Sequence, residues 1–241
     1  MKKFRISLLS FLLILSLSFN AMAEGKPSNN GFYVAILGGI SMPNDMSTTF
    51  TDNEETPATI SNQDLSLKTG WLAGAKVGYL TPFTNRILAV EFEYNHIAND
   101  FDTGKIYNVA GTSLTLDSSI KIDAFMLNLI GRYPEGRWHP YIGAGAGYAN
   151  IQLDTIQSSP SGAFNNTNGS QGVFAYQILA GVDFDITSNW FVGLGYKYFA
   201  ANKVSYDVLT ISPDDPGENH PGKVDVEYKT SIITLSVGYL F

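Results

Sequence analysis

The last nine residues restrict the chain more than any other stretch. Every second position is Ile233, Leu235, Val237, Tyr239 and Phe241, and between them lie Thr234, Ser236, Gly238 and Leu240. A period of two belongs to a strand with one apolar face. An amphipathic helix is excluded, because its apolar positions recur every three or four residues.

The same alternation recurs upstream. Trp71, Ala73, Ala75, Val77 and Tyr79 form one apolar row, and Leu88, Val90, Phe92 and Tyr94 form another. Phe125, Leu127, Leu129 and Tyr133 follow, then Phe174, Tyr176, Ile178, Ala180, Val182 and Phe184, then Trp190, Val192, Leu194, Tyr196 and Tyr198. Segments 32–40 and 140–151 are glycine-rich strands with weaker alternation, in which Ile142, Ala144, Ala146 and Tyr148 are assigned to the outer face. That makes eight strands. Their connections alternate in length: 41–65, 97–117, 154–170 and 201–223 are long, whereas 81–85, 134–139 and 186–189 are short. The long ones carry turn-formers and acids, which suits solvated, mobile segments.

The N-terminus reads as a secretory signal. Lys2, Lys3 and Arg5 precede an apolar run, and Ala21-Met22-Ala23 fits a cleavage site between Ala23 and Glu24. Residues 1–23 are therefore set apart from a domain at 24–241. Removing three of 15 cations leaves 12 against 22 acids, a net charge of −10. A nucleic-acid partner is not expected, since it requires a basic face. No cysteine is present, so neither a disulfide framework nor thiol chemistry is available. The 13 Tyr, 15 Phe and 23 Gly favour strands over helices.

Alternation alone does not separate a soluble barrel or sandwich from a membrane barrel. Three features favour lipid. Tyr79, Tyr94, Tyr133, Trp190, Tyr239 and Phe241 sit at strand ends, where girdles meet headgroups. The opposite face carries charges in mid-strand: Lys76, Glu91, Glu93, Asp183 and Lys197, with Arg132 near a strand end. In a narrow barrel these are expected to pair across the lumen, because an unpaired buried charge costs several kcal/mol. An even strand count with a terminal strand allows closure, which a bilayer demands of any sheet. The expected fold is all-β: an eight-stranded antiparallel up-and-down transmembrane β-barrel. Short turns would face the periplasm and four long loops the exterior, in the outer membrane of a Gram-negative cell.

Five segments carry a family resemblance. Gly31-Phe32-Tyr33-Val34, Met126-Leu127-Asn128-Leu129, 140–148, Gly195-Tyr196-Lys197-Tyr198-Phe199 and Val237-Gly238-Tyr239-Leu240-Phe241 resemble opacity-type, OmpA-like outer-membrane β-barrel proteins. The resemblance implies that Leu235, Val237, Tyr239 and Phe241 form the signal read by the barrel-assembly machinery. It also implies loops that contact a host or environmental ligand, as in adhesins. A peptidoglycan-binding domain often follows such barrels; the sequence stops at the eighth strand, so that role is not expected.

Residues able to carry chemistry are few. A lipid A deacylase of this architecture pairs a strand histidine with a serine two residues on. In Asn95-His96-Ile97-Ala98-Asn99 that position is Ala98, so the nucleophile is missing. His96 reads as a polar loop boundary and His139, beside Trp138, as an interfacial anchor. Asp214, Asp215, Glu218 and His220 show no calcium-loop spacing. Gly143, Gly145 and Gly147 alternate within a strand and precede no helix, so they are not a nucleotide loop. The expectation is a non-enzymatic surface protein without cofactor, catalytic or metal site, an adhesin or an envelope structural protein. A narrow channel and a lipid-modifying enzyme are the alternatives.

Overall fold

A computed structural model describes residues 31–241 except 45, 53–58, 66, 101, 103–106, 110–111, 159–168 and 212–218. The expected signal peptide with its Ala23–Glu24 junction lies outside the described residues, as do Asp214, Asp215 and Glu218. The described residues form β1 (Phe32–Pro43), β2 (Met46–Asp52), β3 (Thr59–Leu65), β4 (Gly70–Leu80), β5 (Leu88–Asp100), β6 (Tyr107–Val109), β7 (Thr112–Arg132), β8 (Trp138–Ser158), β9 (Gly169–Asp185), β10 (Trp190–Ile211) and β11 (Asn219–Leu240).

Eight of these make the barrel. β1, β4, β5, β7, β8, β9, β10 and β11 pair antiparallel in that order. β11 then returns to β1, in a register running from Tyr33↔Leu240 to Pro43↔Thr230. Closure gives every backbone donor and acceptor in the apolar layer a partner, which an open edge in hydrocarbon would forfeit.

The outward row of each barrel strand is apolar over its membrane-spanning part. Ile36, Leu235, Ile142 and Leu127 are 69%, 67%, 65% and 59% exposed, values no soluble protein's core side chains would show. Aromatic rings bracket the band. At the turn end, Phe32 meets Tyr79 at 4.5 Å, Trp138 meets Phe184 at 4.6 Å and Trp190 meets Tyr239 at 5.2 Å. At the other end, Tyr94 and Phe125 lie 5.2 Å apart, and Trp71 lies 5.3 Å from the His96 ring. Along β8, Trp138 and Tyr148 mark the two girdles. Ten residues of strand tilted by ~40° span about 25 Å, the height of an outer-membrane apolar band. Ile142, Ala144, Ala146 and Tyr148 all face outward, as expected from the sequence.

The four longest strands go well past this band. β7 and β8 have 21 residues each, and β10 and β11 have 22 each. A membrane strand needs about 9–11. Much of what reads as long loop is therefore sheet. β7 includes 112–117, β8 reaches Ser158, and β10 and β11 cover most of 201–223. In the 41–65 connection, β2 and β3 form a hairpin that adds to β11 through Gly222↔Asp52 to Val226↔Thr48. The polar composition of these segments suggests loops. Their Thr, Val, Ile and Leu content and the ladder already running beneath them extend the strands instead. A register shift between Ala201 and Val204 kinks β10 where it leaves the band.

Candidate functional site

The lumen is filled in tiers. In the middle, Lys76 on β4 lies 3.1 Å from Glu91 on β5, and Lys197 on β10 lies 2.6 Å from Glu93. Glu91, Glu93 and Lys197 are buried and Lys76 nearly so. Two Lys against two Glu leave this group neutral, which lets it sit away from bulk water. Neutral donors complete it. Glu91 accepts from the Tyr33 hydroxyl at 2.8 Å and from Asn128 Nδ2 at 3.1 Å. Glu93 Oε1 accepts from Asn95 Nδ2 at 2.6 Å and Gln177 Nε2 at 3.2 Å, and Gln177 Nε2 also donates to Asn128 Oδ1 at 2.7 Å. Lys76 also stands 5.9 Å from the centre of the Tyr141 ring.

Sequence spacing explains how these groups converge. Glu91, Glu93 and Asn95 alternate on β5, so all three point the same way. Lys76 is directly opposite Glu93 in the β4–β5 register. Glycine makes the room: a Cβ on Gly145 would fall 1.9 Å from Asn128 Oδ1, and one on Gly78 would strike the Tyr33 ring at 2.2 Å. Asp183 and Arg132 share the lumen, nearer the turn end. They are not brought into the paired group: Asp183 Oδ1 and Arg132 Nε have no hydrogen-bond partner.

Apolar side chains close the lumen on both sides of the ion belt. Towards the turns, Tyr33, Leu80, Ala89, Ile130, Leu179 and Phe191 cluster. Towards the long-strand end, a larger cluster includes Leu37, Leu72, Ile97, Ile122, Met126, Ile151, Phe199 and Ile232. The expected mid-strand charges thus form a belt between two apolar clusters, with further polar groups beyond the clusters at each end. Above the larger cluster, Ser41, Asn99, Tyr228 and Thr230 form a buried hydrogen-bonded lid. Tyr228 donates to Asn99 Oδ1 at 2.7 Å, Ser41 to the same oxygen at 3.1 Å, and Ser41 and Thr230 share a bond of 2.9 Å.

Two histidines differ from their expected settings. His139 is not an interfacial anchor in a turn. It is the second residue of β8 and points inward, only 5% exposed, because it follows the outward Trp138 in the alternation. Trp138 is the anchor, at 62% exposure. His96 lies within β5 rather than at a loop boundary. Its Nδ1 is 2.8 Å from Asp123 Oδ1, which also accepts from the Tyr94 hydroxyl at 2.6 Å. This trio faces outward, just above the apolar band. His220 lies in β11. Among the described residues no cluster of His, Asp and Glu could hold a metal.

Of the C-terminal positions, Leu235 and Val237 face the lipid band, Tyr239 joins the girdle against Trp190, and Phe241 follows β11. The sequence reading misses the upper apolar cluster, although a signal for it exists. On β7 the outward row runs Leu129, Leu127, Phe125 and then Asp123, Lys121. The inward row runs Asn128, Met126, Ala124 and then Ile122, Ile120. Polarity changes sides between Phe125 and Asp123 while the period stays at two.

The outer membrane protease OmpT from Escherichia coli is similar in structure, with a TM-score of 0.50 at 12% identity, over 89% of this chain and 98% of that one. Neisserial surface protein A matches with a TM-score of 0.46 at 14% identity, over 88% and 97%. Ail, the attachment invasion locus protein of Yersinia pestis, solved with a heparin analogue, gives 0.36 at 14%, over 84% and 98%. At 12% identity the likeness to OmpT concerns the fold alone. No curated protein sequence matches. The outer membrane protein beta-barrel domain family matches residues 9–241, nearly the whole length. The chain belongs to that family and is an integral β-barrel of the Gram-negative outer membrane.

Proposed function

We propose that this barrel is a non-enzymatic surface protein whose projecting sheet is a contact platform for a host or environmental ligand. One observation carries the reading: β7, β8, β10 and β11 continue past the apolar band as paired strands, while the lumen beneath them is packed shut. About ten further residues per strand amount to about 25 Å of sheet outside the bilayer. Stiff, paired backbone presents a contact surface at lower entropic cost than a free loop. The filled lumen disfavours the channel alternative, since eight strands leave an interior that side chains fill. The C-terminal row of Leu235, Val237, Tyr239 and Phe241 fits a role as the assembly signal.

Cells expressing the full chain should adhere to host-cell layers or matrix-coated surfaces. Cells expressing a form shortened in the β10–β11 hairpin by removal of 205–224 should not, while both forms keep the gel shift of a folded barrel on heating. Equal adhesion by both forms, or none by either, would overturn the contact reading. In planar bilayers the purified chain should show no stable conductance; regular openings would favour a channel.

A further inference from the structure

Just above the apolar band, the outer wall of β5, β7 and β8 carries a polar patch centred on Asp123. Its Oδ1 accepts from the Tyr94 hydroxyl at 2.6 Å and lies 2.8 Å from His96 Nδ1. Its Oδ2 makes no hydrogen bond to the described residues. Asn150 stands directly opposite in the β7–β8 register. Its Oδ1 accepts from Ser170 Oγ at 2.7 Å, which fixes the amide and leaves Nδ2 as a donor. Lys121, two residues along β7 on the same face, adds a cation. Aromatic rings border the patch. Trp71 lies 5.3 Å from the His96 ring, and the Tyr148 hydroxyl fills the space that a Cβ on Gly172 would take.

The position of the patch decides what can occupy it. A ligand from the medium would meet the projecting strands first, whereas a lipid headgroup already lies beside the wall at this height. The patch also continues the lipid-facing surface, since Tyr94, Phe125 and Tyr148 are next in the same outward rows. A carboxylate repels a bare phosphate and accepts from hydroxyl and amide hydrogens. Sugars supply such donors, and their apolar C–H faces lie flat on aromatic rings. The long-strand end faces the outer leaflet, whose glycolipid in a Gram-negative cell carries a phosphorylated, N-acylated amino-sugar headgroup. We propose that Asp123, Asn150 and Lys121, with His96, Tyr94 and Ser170 as positioning residues, form a binding site for that headgroup. Asp123 Oδ2 accepts from a sugar hydroxyl or amide N–H, Asn150 Nδ2 donates to a sugar oxygen, and Lys121 meets a phosphate. The partners that already fix Asp123 and Asn150 lower the entropic cost of binding.

The test titrates the folded mature chain, in neutral-detergent micelles, with purified lipid A and separately with phosphatidylglycerol, and native mass spectrometry reads the bound fraction. Lipid A should bind at least about tenfold tighter than phosphatidylglycerol. Asp123→Ala and Asn150→Leu should each weaken lipid A binding about tenfold, with little change for phosphatidylglycerol. Lys121→Gln should weaken binding of lipid A but not of its dephosphorylated form. Lys203→Gln, three strands away on β10, removes the same charge and should change neither. The variants alter separate outward side chains, so loss of the folded gel shift in one leaves the others to decide. Equal affinity for lipid A and phosphatidylglycerol would mean a general anionic-lipid surface and overturn the site. So would unchanged lipid A affinity in Asp123→Ala and Asn150→Leu, or an equal loss in Lys203→Gln and Lys121→Gln.

Discussion

Within the apolar band, lipid-facing side chains cover the outside and an ion belt occupies the inside. One or two residues higher on the same strands the arrangement reverses. Asp123, Lys121, Asn150 and Gln152 point outward, while Ile122, Ile120, Ala149 and Ile151 are buried, each at 1% exposure or less. The lower half is built for hydrocarbon and the upper half like a soluble β-barrel with a hydrophobic core. The backbone ladder passes between them without a break in β7 or β8. Solvent, not secondary structure, decides which row is apolar at each height.

If so, equivalent changes in the two halves should act by different mechanisms. The largest effect is expected in the belt. Glu93→Leu strands the Lys197 ammonium and removes the acceptor of Asn95 and the weaker of two acceptors of Gln177, which should cost about 3–5 kcal/mol in urea unfolding from micelles. The double variant Glu93→Leu, Lys197→Leu should recover most of that loss; failure to recover would mean that packing rather than charge pairing dominates the belt. Next comes the upper core. Ile122→Ala should cost about 2–4 kcal/mol by leaving a cavity, with no partner change able to restore it. On the outer wall, Leu127→Arg should cost about 2–4 kcal/mol at mid-band. Gln152→Arg, higher up, should stay within about 0.5 kcal/mol. Similar costs for those two arginines would abolish the distinction between the halves.

The lower half is legible in the sequence because its outward rows are long, aromatic-ended and opposed by charges. Val90 and Phe92 beside Glu91 and Glu93 admit one orientation in lipid. The pairing partners are less legible. Lys76 meets Glu91 rather than Glu93, its neighbour in register, and Arg132 and Asp183 stay outside the belt, because partner choice depends on side-chain reach across a closed lumen. The upper half reads as loop over 97–117, 154–170 and 201–223 because turn-formers and acids there interrupt the apolar rows. A reading that allows the rows to exchange polarity at a membrane boundary would extend β7 and β8 from sequence alone. The inward turn of His139 follows from parity with Trp138, yet its hydrogen-bond partners are Tyr133, just past β7, and Asp185, at the end of β9, which no local pattern near position 139 discloses.

The exchange of polarity along β7 can be measured directly. The chain has no cysteine, so single spin labels can be placed at Leu129→Cys, Leu127→Cys, Phe125→Cys, Asp123→Cys and Lys121→Cys in reconstituted bilayers. Relaxation by oxygen should dominate at 129, 127 and 125, and relaxation by a water-soluble nickel complex should dominate at 123 and 121. Oxygen dominance continuing through 121, or nickel dominance already at 127, would contradict a barrel that changes its apolar side at the membrane surface.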